Sequence, residues 1–170
     1  GASVDENQKI EQCAIVSTFS IHEARDATTF DPGFKDVYPH GLPDSKARLT
    51  PALGNARGPI YFNEKVFPDI GQPSASVDGG VLWVDVPPGD YWLEATHPTQ
   101  RLAPFLARCE NGRLVNANPP WGFYELKDGE EPDPASLAVN LKDADKAAKN
   151  QEKIGKKLDK GKRPKVSLFE

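Results

Sequence analysis

DGGVLWVDVPPGDYWLEATHP, residues 78–98, decides how the rest of the chain is read. Leu82, Val84 and Val86 alternate with Val81, Trp83 and Asp85, and alternation at period two is the signature of a strand with one buried face. Pro87-Pro88-Gly89-Asp90 is a turn by composition, because proline presets φ and glycine admits positive φ. Tyr91, Leu93 and Ala95 then alternate with Trp92, Glu94 and Thr96. The expectation is a β-hairpin whose core face carries Leu82, Val84, Val86, Tyr91, Leu93 and Ala95. Its outer face then carries Trp83, Asp85, Trp92 and Glu94, with the two indoles as diagonal neighbours.

Working outward, CAIVSTFSIHEA (13–24) places Ile15, Ser17, Phe19 and Ile21 on one side and reads as a strand. Residues 25–57 carry Pro32, Pro39, Pro43 and Pro51 and read as a long connection. GPIYFNEKVF (58–67) reads as a second strand. PFLARC and RLVNA flank Asn111-Gly112, the preferred pair for a two-residue hairpin loop. GFYEL (122–126) and SLAVNL (136–141) complete about eight strand candidates. After Leu141 the β signal ends. Ala144, Ala147, Ile154 and Leu158 form a narrow apolar stripe, with Asp145–Lys149 and Glu152–Lys156 as i,i+4 pairs, so a C-terminal helix is expected. The organisation read from these patterns is a flexible leader (1–12), a β domain (13–141) and a basic helical tail (142–170), packed on the body or used as a partner element.

The 170 residues suffice for one domain with a core, and 14 Gly and 16 Pro imply many turns around it. No apolar run reaches bilayer-spanning length. Residues 142–170 carry ten Lys/Arg against five Asp/Glu, leaving eleven against twenty in residues 1–141. An acidic body and a basic tail can satisfy one another. The tail lacks the interleaved aromatics of a single-strand binder, so no nucleic-acid partner is expected. The chain has no Met, and Gly1-Ala2-Ser3 reads as a scar on a truncated chain, which leaves room for a secretory or lipoprotein leader that the sequence does not show.

Cys13 and Cys109 form no metal-spaced motif. Two readings stand: one long-range disulfide in an oxidising compartment, or a pair of buried thiols.

VDGGVLWVDVPPGDYWLEATHP (77–98) resembles the signature of the carboxypeptidase regulatory-like, or transthyretin-like, β-sandwich, on Asp78-Gly79, Pro87-Pro88-Gly89, Asp90 and Tyr91. The long segment 25–57 departs from its compact members. The resemblance implies an antiparallel Greek-key β-sandwich with long loops, often secreted or periplasmic. Such domains serve as interaction, stabilising or carbohydrate-associated modules.

No catalytic residue and no cofactor is expected. Ser and His occur without a nucleophile elbow, and phosphate-loop motifs are missing. Asp36, Tyr38, His40 and Asp44 cluster in the long connection, but metal sites show tighter spacing, so a solvated loop is the reading there. The functional expectation is a non-catalytic extracytoplasmic interaction module of a surface, envelope or assembly protein, whose partner is another protein or a polysaccharide. Its contact residues are Trp83, Asp85, Trp92 and Glu94. One alternative is a carbohydrate-binding module that uses the exposed Trp83 and Trp92, and a further one is a metal-dependent hydrolase or oxygenase.

Overall fold

The computed structural model describes residues 2–25, 40–54, 57–117 and 122–132. The expected strand 136–141 and helix 142–170 lie outside the described residues, as do Asp36 and Tyr38. The described chain is mainly β. Its elements are β1 (Cys13–Thr18), α1 (His22–Arg25), β2 (Lys46–Thr50), β3 (Ile60–Phe62), β4 (Pro68–Asp69), β5 (Gly80–Val86), β6 (Gly89–Thr96), β7 (Arg101–Leu102), β8 (Phe105–Cys109), β9 (Leu114–Ala117) and β10 (Glu125–Leu126). Three sheets form: five strands in the order β4-β3-β5-β1-β9, three in the order β2-β6-β8, and the pair β10-β7.

Both expected hairpins are corrected by this order. β5 pairs with β1 and β3, whereas β6 pairs with β2 and β8, so Pro87-Pro88-Gly89 carries the chain from one sheet to another. Two successive prolines supply no N–H to a ladder, which favours a corner over a continuing pair. The Tyr91 hydroxyl pins that corner by donating to the Pro87 carbonyl at 2.9 Å. The Asn111-Gly112 turn does the same between β8 and β9, with Gly112 at φ 71 and the Arg113 N–H on the Glu110 carbonyl. A turn's composition specifies a reversal of direction. It does not specify whether the two arms meet each other or other strands.

The facing of β5 is corrected as well. Cys13 pairs with Val86 and Ile15 with Trp83, so a two-residue step on β1 faces a three-residue step on β5. The extra residue is a β-bulge, and Asp85 within it adopts φ 51. One inserted residue reverses the side-chain phase. Val81, Trp83 and Val86 therefore enter the core, while Leu82 lies half-buried on the other side. Trp83, expected outside, is 1% exposed. The unbulged β6 follows its pattern, with Tyr91 and Leu93 buried and Ala95 packed against the same cluster.

One core joins the inward faces of the two larger sheets. Ile15, Val81 and Trp83 from the first meet Leu49, Leu93 and Phe105 from the second. Phe19 and Phe123 stack at 4.9 Å with 10° between their planes, and Phe105 meets Phe123 edge-on at 4.9 Å. Phe123 belongs to the GFYEL stretch, of which only β10 and the bridging Tyr124 are paired. Two fasteners connect the sheets. The Ala47 N–H of edge strand β2 donates to the Tyr61 hydroxyl of β3 at 3.0 Å, and a disulfide joins Cys13 of β1 to Cys109 of β8. Burial raises the Tyr61 hydroxyl above its ordinary pKa, so it stays protonated.

Other boundaries differ from the sequence reading. The first strand ends at Thr18, and α1 follows within the stretch read as strand. The connection 25–57 contains β2, which turns only Leu49 and the small Ala47 inward and so shows little apolar pattern. The 58–67 strand is shorter and folds back through a turn into β4. β1 and β9 run parallel, so the five-stranded sheet is mixed rather than purely antiparallel.

Candidate functional site

The side of β2-β6-β8 turned away from the core is the candidate contact surface. Alternation along β6 sends Tyr91 and Leu93 inward and Asp90, Trp92 and Glu94 outward. Register then determines their neighbours. Trp92 stands opposite Thr50 of β2 and Leu106 of β8, which makes a three-residue row across the sheet. Glu94 stands opposite Arg48, and Asp90 opposite Arg108.

Both flanking pairs are closed. The Arg48 guanidinium reaches Glu94 at 2.7 and 2.8 Å through two nitrogens. The Arg108 Nε donates to Asp90 at 2.8 Å, and a second guanidinium nitrogen lies 3.4 Å from the other carboxylate oxygen. This hydrogen bond, with the guanidinium charge behind it, holds the Asp90 carboxyl below the usual aspartate range. Exposed pairs of this kind contribute at most about 1 kcal/mol each to stability. Their larger effect is to orient donors and acceptors on both sides of a half-buried indole. The face carries Lys46, Arg48 and Arg108 against Asp90 and Glu94, so it is not where the acidity of the body resides.

The four residues named from sequence separate. Trp92 and Glu94 share this face. Trp83 is in the core and cannot pair with Trp92, which belongs to another sheet. Asp85 lies on β5, where its carboxylate accepts the Ser3 N–H at 2.7 Å and the Ser3 hydroxyl at 3.1 Å. The 3–11 segment, read as a leader, closes on itself through a Val4–Ile10 bridge and the Asp5 carboxylate, which caps the N–H groups of Asn7 and Lys9. Asp85 is thus engaged within the molecule. The sequence reading missed Arg48, Thr50, Leu106 and Arg108, which reach the face only through β2 and β8. The alternation of Lys46, Arg48 and Thr50 around Leu49 was the available signal, hidden between Pro43 and Pro51.

A second exposed feature is the β3–β4 turn. The Asn63 carboxamide oxygen accepts the N–H groups of Lys65 and Phe67, fixing a loop in which Val66 has φ 65. Phe67 and Ile70 beside it are 65% and 86% exposed. Such apolar exposure on a well-held loop marks a sticky edge. Pro68 blunts backbone pairing there.

His22 Nε2 lies 3.4 Å from Glu130, and His97 Nδ1 accepts backbone N–H groups of its own turn. Among the described residues, no group of three or more His, Cys, Asp or Glu side chains could hold a metal ion, and no helix is long and apolar enough to cross a membrane. Comparisons with protein-family models, with curated proteins and with solved structures give no match to the chain.

Proposed function

We propose that this chain is a non-catalytic binding module working outside the cytoplasm, and that its contact surface is the outer face of β2-β6-β8 centred on Trp92. The observation that carries the reading is the row Thr50–Trp92–Leu106 held between the Arg48–Glu94 and Asp90–Arg108 pairs. Partly exposed Trp and Arg are the side chains most enriched where protein partners contribute binding energy. The Cys13–Cys109 disulfide supports an oxidising compartment. In the same proposal, the two larger sheets are the layers of a Greek-key sandwich of the transthyretin-like kind. The resemblance over residues 77–98 and the shared core support it.

The test is a photo-crosslinking residue at Leu106, with Arg48 as a second position, introduced into the protein in its native cell envelope. The reading expects one discrete adduct from both positions, lost with Trp92→Ala in a protein whose thermal unfolding is otherwise intact. An adduct that survives Trp92→Ala, or none from either position, overturns it.

A polysaccharide partner is the second reading. It now rests on a single indole, Trp92, whose flat face beside Arg48 and Glu94 suits a sugar ring and its hydroxyls. Quenching of Trp92 fluorescence by a soluble polysaccharide, at a position where Leu106 yields no protein adduct, favours it. An unchanged spectrum across neutral and acidic polysaccharides removes it.

A further inference from the structure

A hollow of about 430 Å³ opens where the end of β6, the 97–100 turn, β7 and β10 meet. That volume lies within the usual small-ligand range of roughly 300–1,000 Å³. Its floor is apolar, built by Leu102, Pro104 and Leu126. Its rim is polar, with Thr96, His97, Gln100, Arg101 and Glu131. An apolar floor under a few convergent polar groups is the general form of a small-molecule site.

The rim is set for an acceptor. His97 Nδ1 accepts the N–H of Thr99 at 3.2 Å and that of Gln100 at 3.0 Å. A nitrogen that receives two N–H groups carries no proton, so the ring's proton sits on Nε2 and that nitrogen is a donor. Arg101 donates to the Glu130 carbonyl at 3.2 Å. Its only carboxylate contact among the described residues is Glu131 at 3.9 Å, and that side chain is 83% exposed. So loose a pair is worth little and is readily exchanged for a better-placed carboxylate.

We propose that this hollow binds a sugar acid, a ring bearing a carboxylate of about hexuronate size. The ligand carboxylate replaces Glu131 on the Arg101 guanidinium and accepts from His97 Nε2. The ring lies over Leu102 and Leu126, and Thr96, Gln100 and the released Glu131 serve its hydroxyls. The site shares only Thr96 with the β2-β6-β8 face and does not require Trp92, so each proposal can fail without the other.

The experiment titrates the isotope-labelled, disulfide-intact chain with galacturonate, followed by amide NMR shifts. Saturable shifts are expected at Thr96, Gln100, Leu102 and Leu126, with affinity about millimolar for a single ring. Galactose should give shifts at least about tenfold weaker, since it lacks the charge-assisted contact. Arg101→Gln should weaken galacturonate at least about tenfold. His97→Asn keeps an acceptor for the turn but removes the Nε2 donor, and a loss of about three- to tenfold is expected. Trp92→Ala should leave binding unchanged. Shifts that do not saturate, that survive Arg101→Gln, or that acetyl-alanyl-alanine reproduces equally would overturn the assignment. Spectra dispersed like wild type at β1 and β5 certify that each variant is folded.

Discussion

Cys13 and Cys109 are separated by 96 residues in sequence and by 5.5 Å between their Cα atoms, and their disulfide joins β1 of the five-stranded sheet to β8 of the three-stranded one. It closes a loop that runs from the first strand, β1, to the eighth, β8. Together with the Tyr61–Ala47 hydrogen bond it links the two sheets at separate places.

A bond closing so long a loop should restrict the unfolded chain strongly. Loop-closure entropy gives about 4–5 kcal/mol for a loop near this length, and native disulfides in small domains typically contribute about 2–5. The Cys13→Ala/Cys109→Ala protein should lose stability in that range in urea unfolding. A loss below about 1 kcal/mol would show that the shared core alone holds the sheets together.

The two described tryptophans should behave oppositely. Trp83→Ala removes a fully buried indole and should cost about 3–5 kcal/mol. Trp92→Ala, on the half-buried outer face, should cost clearly less. In a Trp121→Phe background, acrylamide should quench Trp92 and spare Trp83. Equal quenching would place Trp83 outside the core.

Gly79 has φ 77, and a Cβ built there would lie 2.6 Å from the Phe19 carbonyl oxygen and 2.7 Å from the Cα of Gly41. Both neighbours are backbone and cannot swing away. Gly79→Ala should therefore cost about 3 kcal/mol or more, combining left-handed strain with a clash. Thermal unfolding within a few degrees of wild type would show that the 76–80 turn relaxes.

Burial pushes the Asp78 carboxyl above the ordinary aspartate range, against the lowering effects of the Gly80 N–H and of His40. A raised native pKa means that the folded chain binds more protons than the unfolded one between the two values. Stability should therefore fall as pH rises through that window and stay lower above it. Asp78→Asn keeps an acceptor for Gly80. It should remove this decline and leave the protein no less stable at neutral pH. A loss above about 1 kcal/mol at pH 7 would mean that the charge itself is stabilising.

β6 was legible because Asp90 to Thr96 contains no bulge, and one-residue alternation maps directly onto buried and exposed sides. β5 was legible as a strand and misread in facing, because Asp85 adds a residue whose effect on phase depends on pairing with Cys13 and Ile15. β2 was hidden because its inward residues are only the small Ala47 and a single larger one, Leu49. Of the candidate face, Trp92 and Glu94 could be named from their own strand. Arg48, Thr50, Leu106 and Arg108 join them only through register.

Local order determined much by itself. The alternation of β-branched and aromatic residues made the chain mainly β. Asn111-Gly112 made its turn where expected, Pro87-Pro88-Gly89 interrupted the ladder between β5 and β6, and two lone cysteines left a disulfide open. Tertiary structure alone decided which strands those turns connect, that Trp83 is core while Trp92 is surface, and that Cys13 meets Cys109. The reason is that strand pairing is a contest among distant segments for the same backbone edges. Its outcome depends on which arrangement buries Trp83, Phe105 and Phe123 together. No window of twenty residues contains that information.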